Sequence, residues 1–210
     1  MLKGKIPPAV ITRLSIYYRV ILESRKKFLS SDEISKLTDF TSAQVRKDLT
    51  YFGQFGIPGK GYNTDLLKAS ILNILGLDRR WNVALVGVGN LGSALLSYKG
   101  FSRQGFKISC AFDADPSKVG TKINSVLIRD IKDLARAVRT NNIHIAILAV
   151  PKDVAQGVTD TLASAGIKAI LNFAPVRPKP DKSVTVLNID LSIELERLAY
   201  FLARKSKIYA

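Results

Sequence analysis

Three glycines in the run Gly87-Val88-Gly89-Asn90-Leu91-Gly92, with an acid further on at Asp113, are the residues of this chain best suited to hold a ligand. Their chemistry is that of a dinucleotide site. Gly87 lets the chain turn sharply out of a strand, Gly89 lets backbone approach a pyrophosphate, and Gly92 allows a helix to pack closely on a sheet. The phosphates then rest on N–H groups at the helix start, where orphan donors and the helix dipole favour negative charge. Val88, Asn90 and Leu91 complete the loop around them. Asp113 lies 21 residues beyond Gly92, where a carboxylate takes the ribose hydroxyls of NAD. The same charge repels a 2′-phosphate, which favours NAD(H) over NADP(H). The glycine pattern alone also fits a strand–helix turn that binds another nucleotide or none.

A hydride-transferring enzyme needs a positioned acid or base beside such a loop, and no catalytic set is visible. His144 is the sole histidine and begins a run expected to be a core strand, which assigns it a structural role. Tyr98 and Lys99 are adjacent rather than four apart, so one helical face would not carry both. No group of side chains has metal-ligand spacing. The lone Cys110 excludes an intramolecular disulfide, and its apolar surroundings predict a buried, inert thiol. A small NAD-dependent oxidoreductase stands as the alternative to a dinucleotide-binding protein without catalysis.

The elements that must position the loop alternate between strand and helix. VALV at 83–86 leads into it, SALLSYKG follows as helix, and ISCAFD ends at Asp113. After an Asp115-Pro116 turn come an apolar piece from Ile123 to Ile128, a helix over Lys132 to Val138 and a strand from His144 to Val150. A helix from Val154 to Ala165 then precedes a strand over Lys168 to Leu171. This spacing predicts an α/β domain of Rossmann type, a doubly wound parallel sheet with right-handed crossovers. Ligand belongs at the carboxyl ends of the strands, which adds Val150, Pro151, Asn172 and Phe173 to the candidate cofactor-binding set. Asn172 and Phe173 read either as the border of the nicotinamide end or as a plain strand-exit loop.

About 80 residues precede this domain, so their purpose becomes the question. The 210-residue chain has a net charge of +15, which points to a polyanionic partner or an acidic surface. The first 80 residues hold 14 basic and 7 acidic side chains, a denser excess than the 18 and 10 that follow. No apolar run reaches membrane-spanning length and no signal peptide opens the chain, so a cytoplasmic protein without a membrane or metal partner is expected. The domains expected are 1–78, 79–188 and 189–210.

Three helices are predicted ahead of residue 53. The first starts at Pro7-Pro8 and runs to about Lys27, with Ile11, Leu14, Ile16, Tyr18 and Leu22 as its apolar stripe. The second opens on a capping box, Ser30-Ser31-Asp32-Glu33, and turns Ile34 and Leu37 inward. A third follows a second box, Thr41-Ser42-Ala43-Gln44, and carries Val45, Leu49 and Phe52. Two short helices across a tight turn form a helix-turn-helix. Ser42, Gln44, Arg46, Lys47, Thr50 and Tyr51 give the third helix donors suited to base edges and phosphates, although any solvated helix face has polar residues. Four glycines and Pro58 lie between Gly53 and Tyr62, with Lys60 near the tip. With a helix from Thr64 to Leu75, this loop reads as the wing of a winged helix-turn-helix; a flexible linker is the alternative.

RKDLTYFGQFG at 46–56 and G-x-G-Y at 59–62 resemble the signature of the redox-sensing transcriptional repressors called Rex. PPAVITRLSIYYR, GVGNLGSALLSYKGF, the AVP at 149–151 and AGIKAILNFAP at 165–175 are similar to that family too, in the same order. The resemblance implies a homodimer whose winged-helix domains bind double-stranded operator DNA and whose Rossmann domains bind NADH or NAD+. Operators are bound when NADH is scarce and released when it accumulates. One departure is that Ile57-Pro58 replaces a basic pair common in the wing, leaving only Lys60 cationic there. The last segment, Asp190 to Lys207, is an amphipathic helix with Leu191, Leu195, Leu198 and Leu202 at helical spacing. Alone it reads equally as the final helix of its own sheet. The resemblance implies instead a domain-swapped helix reaching the partner subunit, with Asp190, Tyr98 and Arg19 as coupling contacts.

Overall fold

The computed structural model describes residues 6–206 (side chains to 204), and the chain divides into two units, Met1–Arg79 and Arg80–Ala210. In the first unit, Pro7 holds extended backbone ahead of helix α1 (Pro8–Glu23). Its buried residues are Val10, Leu14, Tyr17, Tyr18 and Ile21, while Ile11, Ile16 and Leu22 are exposed. The expected stripe is thereby corrected: the inward face repeats at 10, 14, 17 and 21, the true helical period. Helix α2 (Ser31–Lys36) begins with the expected capping box, Ser30 and Glu33 satisfying each other's backbone N–H groups. Ile34 is buried, but Leu37 lies past the last turn and is 60% exposed, contrary to expectation.

Helix α3 (Ser42–Thr50) is capped by Thr41, which accepts the Gln44 N–H. The second capping box is only half formed, because the Gln44 side chain turns to Asp48 instead. Strands β1 (Phe28–Leu29), β2 (Gly56–Ile57) and β3 (Gly61–Asn63) form an antiparallel sheet in the order β1-β3-β2. The β2–β3 hairpin turns through Ile57-Pro58-Gly59-Lys60, closed by Lys60 N–H donating to Ile57 O at 3.0 Å. Pro58 followed by Gly59 at φ +74° is what a type II turn asks for. A Cβ on Gly61, at φ +85°, would stand 2.6 Å from Leu29 O, so only glycine lets β1 pair here. Strand β1 is a feature that periodicity did not reveal. Helix α4 (Thr64–Ile74), capped by Asn63, supplies Leu67 and Ile71 to a core with Leu14, Tyr17, Ile21, Ile34, Val45 and Leu49.

The second unit is built on strands β4 (Trp81–Val86), β5 (Phe106–Asp113), β6 (Lys122–Ile123), β7 (Val126–Asp130), β8 (Ile145–Leu148), β9 (Ala169–Asn172) and β10 (Thr185–Asn188). They lie in the order β10-β9-β8-β4-β5-β7-β6, all parallel except β6. Numbered by their own sequence, the parallel strands read 3-2-1-4-5-6, the Rossmann order whose reversal lies between β4 and β8. Val83 and Leu85 pack with Leu96 of α5 (Asn90–Ser97) on one face. Ala84 and Val86 pack on the other, with Leu134 and Val138 of α7 (Leu134–Thr140) and Leu162 of α8 (Lys152–Ala165). Alternation along β4 thus feeds two cores.

Some elements are too short to leave a periodic signal in the sequence. The short α6 (Gly100–Arg103) follows α5, and a hairpin at Asn124 (φ 46°) and Ser125 (φ 69°) splits one expected piece into β6 and β7. Strand β10 follows a proline-rich connection and pairs with β9 from Thr185↔Ala169 to Asn188↔Asn172. His144 is exposed just outside β8, which corrects the expectation that it begins the core strand. Helix α9 (Leu191–Ser206) is exposed along its described side chains, Leu195 to 67%. The expected helix end at Lys207 lies outside the described residues.

Candidate functional site

The reversal point of the sheet brings the glycine loop against the exit of β8. Gly87 has φ +93°, and a Cβ there would collide with the Ala149 carbonyl oxygen and lie 2.9 Å from Val150 Cγ1. A Cβ on Gly92 would collide with the Gly87 carbonyl oxygen, so α5 can sit this close only with glycine. Gly89 differs: nothing lies within 4 Å of where its Cβ would be. Its lack of a side chain is unexplained by the protein's own packing and leaves room for a group that comes to the backbone. Asn90 and Leu91 open α5, with no side chain capping its first N–H groups. The donors of that first turn thus have no side-chain acceptor of their own, as an anion site at a helix start requires.

Asp113 ends β5 beside this loop. Its Oδ2 accepts the Val88 N–H at 2.7 Å, and its Oδ1 accepts the Asp115 N–H at 2.9 Å. Lys118 Nζ lies 3.4 Å from Asp113 and 3.6 Å from Asp115. Burial pushes the Asp113 carboxyl up, but the two backbone donors and Lys118 outweigh it and hold the group below its ordinary value. A carboxylate kept ionised at the edge of a bare-backbone cradle fits an adenosine dinucleotide with free ribose hydroxyls. Lys118 is a site residue that the glycine motif does not indicate, although Asp-Pro-Ser-Lys after Asp113 predicts a turn that brings a cation back.

Val150 and Phe173 are half-buried and Pro151 is exposed, at the ends of β8 and β9. Phe173 packs with the cluster that contains Val88. Asn172 is corrected as a direct ligand. Its side chain is 0% exposed, and its amide bonds to Val176, Asn188 and Ala174 within the chain. Of the expected coupling residues, Tyr98 is exposed at the end of α5, its ring meeting Phe101 edge-on. Asp190 is exposed and caps α9, accepting the Ser192 N–H and hydroxyl. Those hydrogen bonds hold its carboxyl below the ordinary range. Arg19 is exposed on α1 of the other unit.

On α3 the residues open to solvent are Ala43, Arg46, Lys47 and Thr50, spaced as one helical face. Ala43 was not singled out from sequence, though its spacing from Arg46, Lys47 and Thr50 marks it. Ser42 and Tyr51 are half-buried at the margins, and Lys60 is exposed at the hairpin tip. Arg46 Nη1 donates to Ser31 Oγ at 2.8 Å, and the Thr50 hydroxyl donates to Lys47 O at 2.7 Å. Gln44 is corrected as a free base reader: its Nε2 donates to Asp48 Oδ1 at 2.7 Å.

Behind this face Asp48, 0% exposed, also accepts Arg13 Nε and Nη2 at 2.5 and 2.7 Å and Tyr17 Oη at 2.8 Å. Burial alone would raise the Asp48 pKa, yet Arg13, Tyr17 and Gln44 together lower it. Burial and the neighbouring carboxylate push the Tyr17 phenol up. The network bolts α3 to α1, so the exposed face is presented by a rigid support. Among the described residues no group of His, Cys, Asp and Glu could hold a metal, and no helix is long and apolar enough to cross a membrane.

Two family models match the chain. Residues 5–50 match "Putative DNA-binding protein N-terminus", and residues 78–176 match "CoA binding domain". The redox-sensing transcriptional repressor Rex of Carboxydothermus hydrogenoformans is 49% identical over 208 residues, covering 97% of this chain and 100% of that protein. Rex of Syntrophomonas wolfei is 45% identical, covering 97% and 98%. Among solved structures, RSP in complex with β-NAD+ and operator DNA superposes with a TM-score of 0.92 at 38% identity, over 99% of this chain and 97% of that one. RSP in complex with β-NADH gives 0.87 at 37% identity, over 99% of each. Full-length identity of this degree, with matching folds in both units, means that the chain belongs to the Rex family of redox-sensing transcriptional repressors.

Proposed function

We propose that this protein represses transcription as a cytoplasmic homodimer that binds operator DNA and lets go when NADH occupies its Rossmann unit. The observation that carries this is the full-length likeness to a repressor solved with both NAD+ and operator DNA. Gly87, Gly89 and Gly92, with the N–H groups of Asn90 and Leu91, would hold the pyrophosphate, while the Val88 N–H holds Asp113 in place for the adenosine ribose. Coenzyme A carries a phosphate on that ribose, which the Asp113 carboxylate would repel; NAD(H) therefore fits better than the ligand in the family model's name. NAD+ carries a planar cationic nicotinamide, and NADH a neutral, puckered one. Val150, Pro151 and Phe173 would offer that end an apolar wall, which favours the neutral form.

On the DNA side, Arg46, Lys47 and Thr50 would enter the major groove, with Ser42 and Tyr51 at its margins and Lys60 on the backbone beside it. The exposed leucines of α9 would be covered by the partner subunit in a domain-swapped dimer, with 189–210 serving as the dimerisation segment. Asp190 and Tyr98 would there meet Arg19 and link cofactor to half-site spacing. NADH favours release only if the released state binds it more tightly, and a tenfold loss of operator affinity requires about 1.4 kcal/mol of such coupling. A mobility-shift titration on a palindromic operator tests the reading. NADH is expected to dissolve the complex at concentrations where NAD+ leaves it intact; equal effects of the two would refute redox sensing.

A further inference from the structure

At the carboxyl end of β9 one buried amide grips two segments. Asn172 Nδ2 donates to Val176 O at 2.7 Å and to Asn188 Oδ1 at 2.8 Å, while its Oδ1 accepts the Ala174 N–H at 2.9 Å. Its backbone carbonyl accepts the Ile189 N–H at 2.8 Å. The first segment, 173–176, carries Phe173 into the apolar cluster shared with Val88 of the glycine loop. The second is the end of β10, immediately ahead of Asp190 and α9. A buried amide is tolerated because every polar atom is matched, and such a set specifies one arrangement.

We propose that the Asn172–Asn188 pair is a positioning clamp that makes the direction in which α9 leaves the sheet depend on the 173–176 loop. The occupancy of the nicotinamide end of the crevice thereby reaches α9. The inference rests on the redox-sensor reading above. β9 is paired on both sides, with β8 and β10, whereas β10 is an edge strand with β9 as its one strand neighbour. A shift at Phe173 or Ala174 that turns the Asn172 amide is therefore taken up by β10 and by the helix that follows it.

Asn188 is the member to change, because it is exposed and its side chain accepts the Asn172 amide that grips the 173–176 loop. In the full-length protein, Asn188→Ala leaves one buried Asn172 N–H unmatched and is expected to lower the thermal midpoint by a few degrees, while keeping its NADH affinity and its ligand-free operator affinity. The loss of operator affinity at saturating NADH should shrink by about tenfold. Asn188→Asp retains the acceptor and should restore the response. A wild-type response in Asn188→Ala, or an Asn188→Asp as deaf as the alanine variant, would overturn the clamp. If Asn188→Ala fails to fold, Asn188→Ser faces the same comparison. A wild-type protein indifferent to NADH would overturn the sensor reading itself, and the clamp with it.

Discussion

The three glycines of the dinucleotide loop look alike in sequence but answer to different constraints. Gly92 is required by the protein, since a Cβ there meets the Gly87 carbonyl, while Gly89 has open space around it. Gly92→Ala should therefore lower the thermal midpoint and NADH affinity together. Gly89→Ala should leave the midpoint of the free protein within a degree or two of wild type, by roughly the size of a neutral surface change, yet abolish the midpoint rise that NADH causes. Differential scanning fluorimetry with and without NADH separates the two. Asp190 offers a similar distinction, because it caps α9 and carries a charge. Asn caps as well as Asp, so Asp190→Asn should keep the helix and lose the NADH response if the charge is what meets Arg19. A full response in that variant, read by operator titration, would leave capping as the residue's only task.

At the scale of elements, the α1–α3 contact depends on Asp48. Removing one partner of a buried ion pair costs about 3–5 kcal/mol. The low end is expected for Asp48→Asn, because the Arg13 side chain keeps 20% exposure. Urea unfolding of the full chain at neutral pH measures it. The pH dependence follows from the depressed Asp48 pKa. The carboxylate's stabilising contribution is complete above the unfolded-state pKa of about 4 and is lost as pH falls through the lower folded value. Wild type should lose stability below about pH 4 more steeply than Asp48→Asn. Helix α9 poses the opposite case, since its apolar face is exposed. Leu195→Asp with Leu198→Asp should leave NADH binding intact but yield monomers in sedimentation. Operator affinity should fall by about a hundredfold or more, since a monomer engages only one half-site.

For the whole molecule, the net charge of +15 favours a polyanionic partner, and the number of phosphates the protein contacts sets how binding depends on salt. Each phosphate neutralised adds about 0.9 to the negative slope of log affinity against log salt. Lys47→Ala should flatten that slope by about one unit and weaken all sequences alike. Arg46→Ala should in addition relax sequence preference, if its guanidinium leaves Ser31 for a guanine edge in the groove. Fluorescence anisotropy on operator and scrambled duplexes between low and moderate salt measures both. A salt slope untouched by Lys47→Ala would remove that residue from the phosphate contacts.

What could be read in the residues was whatever chemistry depends on neighbours along the chain. The Gly87–Gly92 loop, the Ser30 capping box and the helix-turn-helix are local patterns that local backbone geometry dictates, and the fixed length of one strand-helix-strand unit places the acid at Asp113. Apolar strand runs alternating with helices likewise announced the parallel sheet. Contacts distant in sequence stayed hidden. The pairing of β1 with β3, the short β10 and the inward turn of Gln44 toward Asp48 each depend on a partner that the local pattern does not contain. Asn172 illustrates the difference best. Its place at a strand end suggested a ligand, but only the folded chain matched its amide to Val176, Asn188 and Ala174. A buried polar group is satisfied by whatever tertiary packing brings to it, and that is a property of the assembled fold rather than of the stretch that carries the residue.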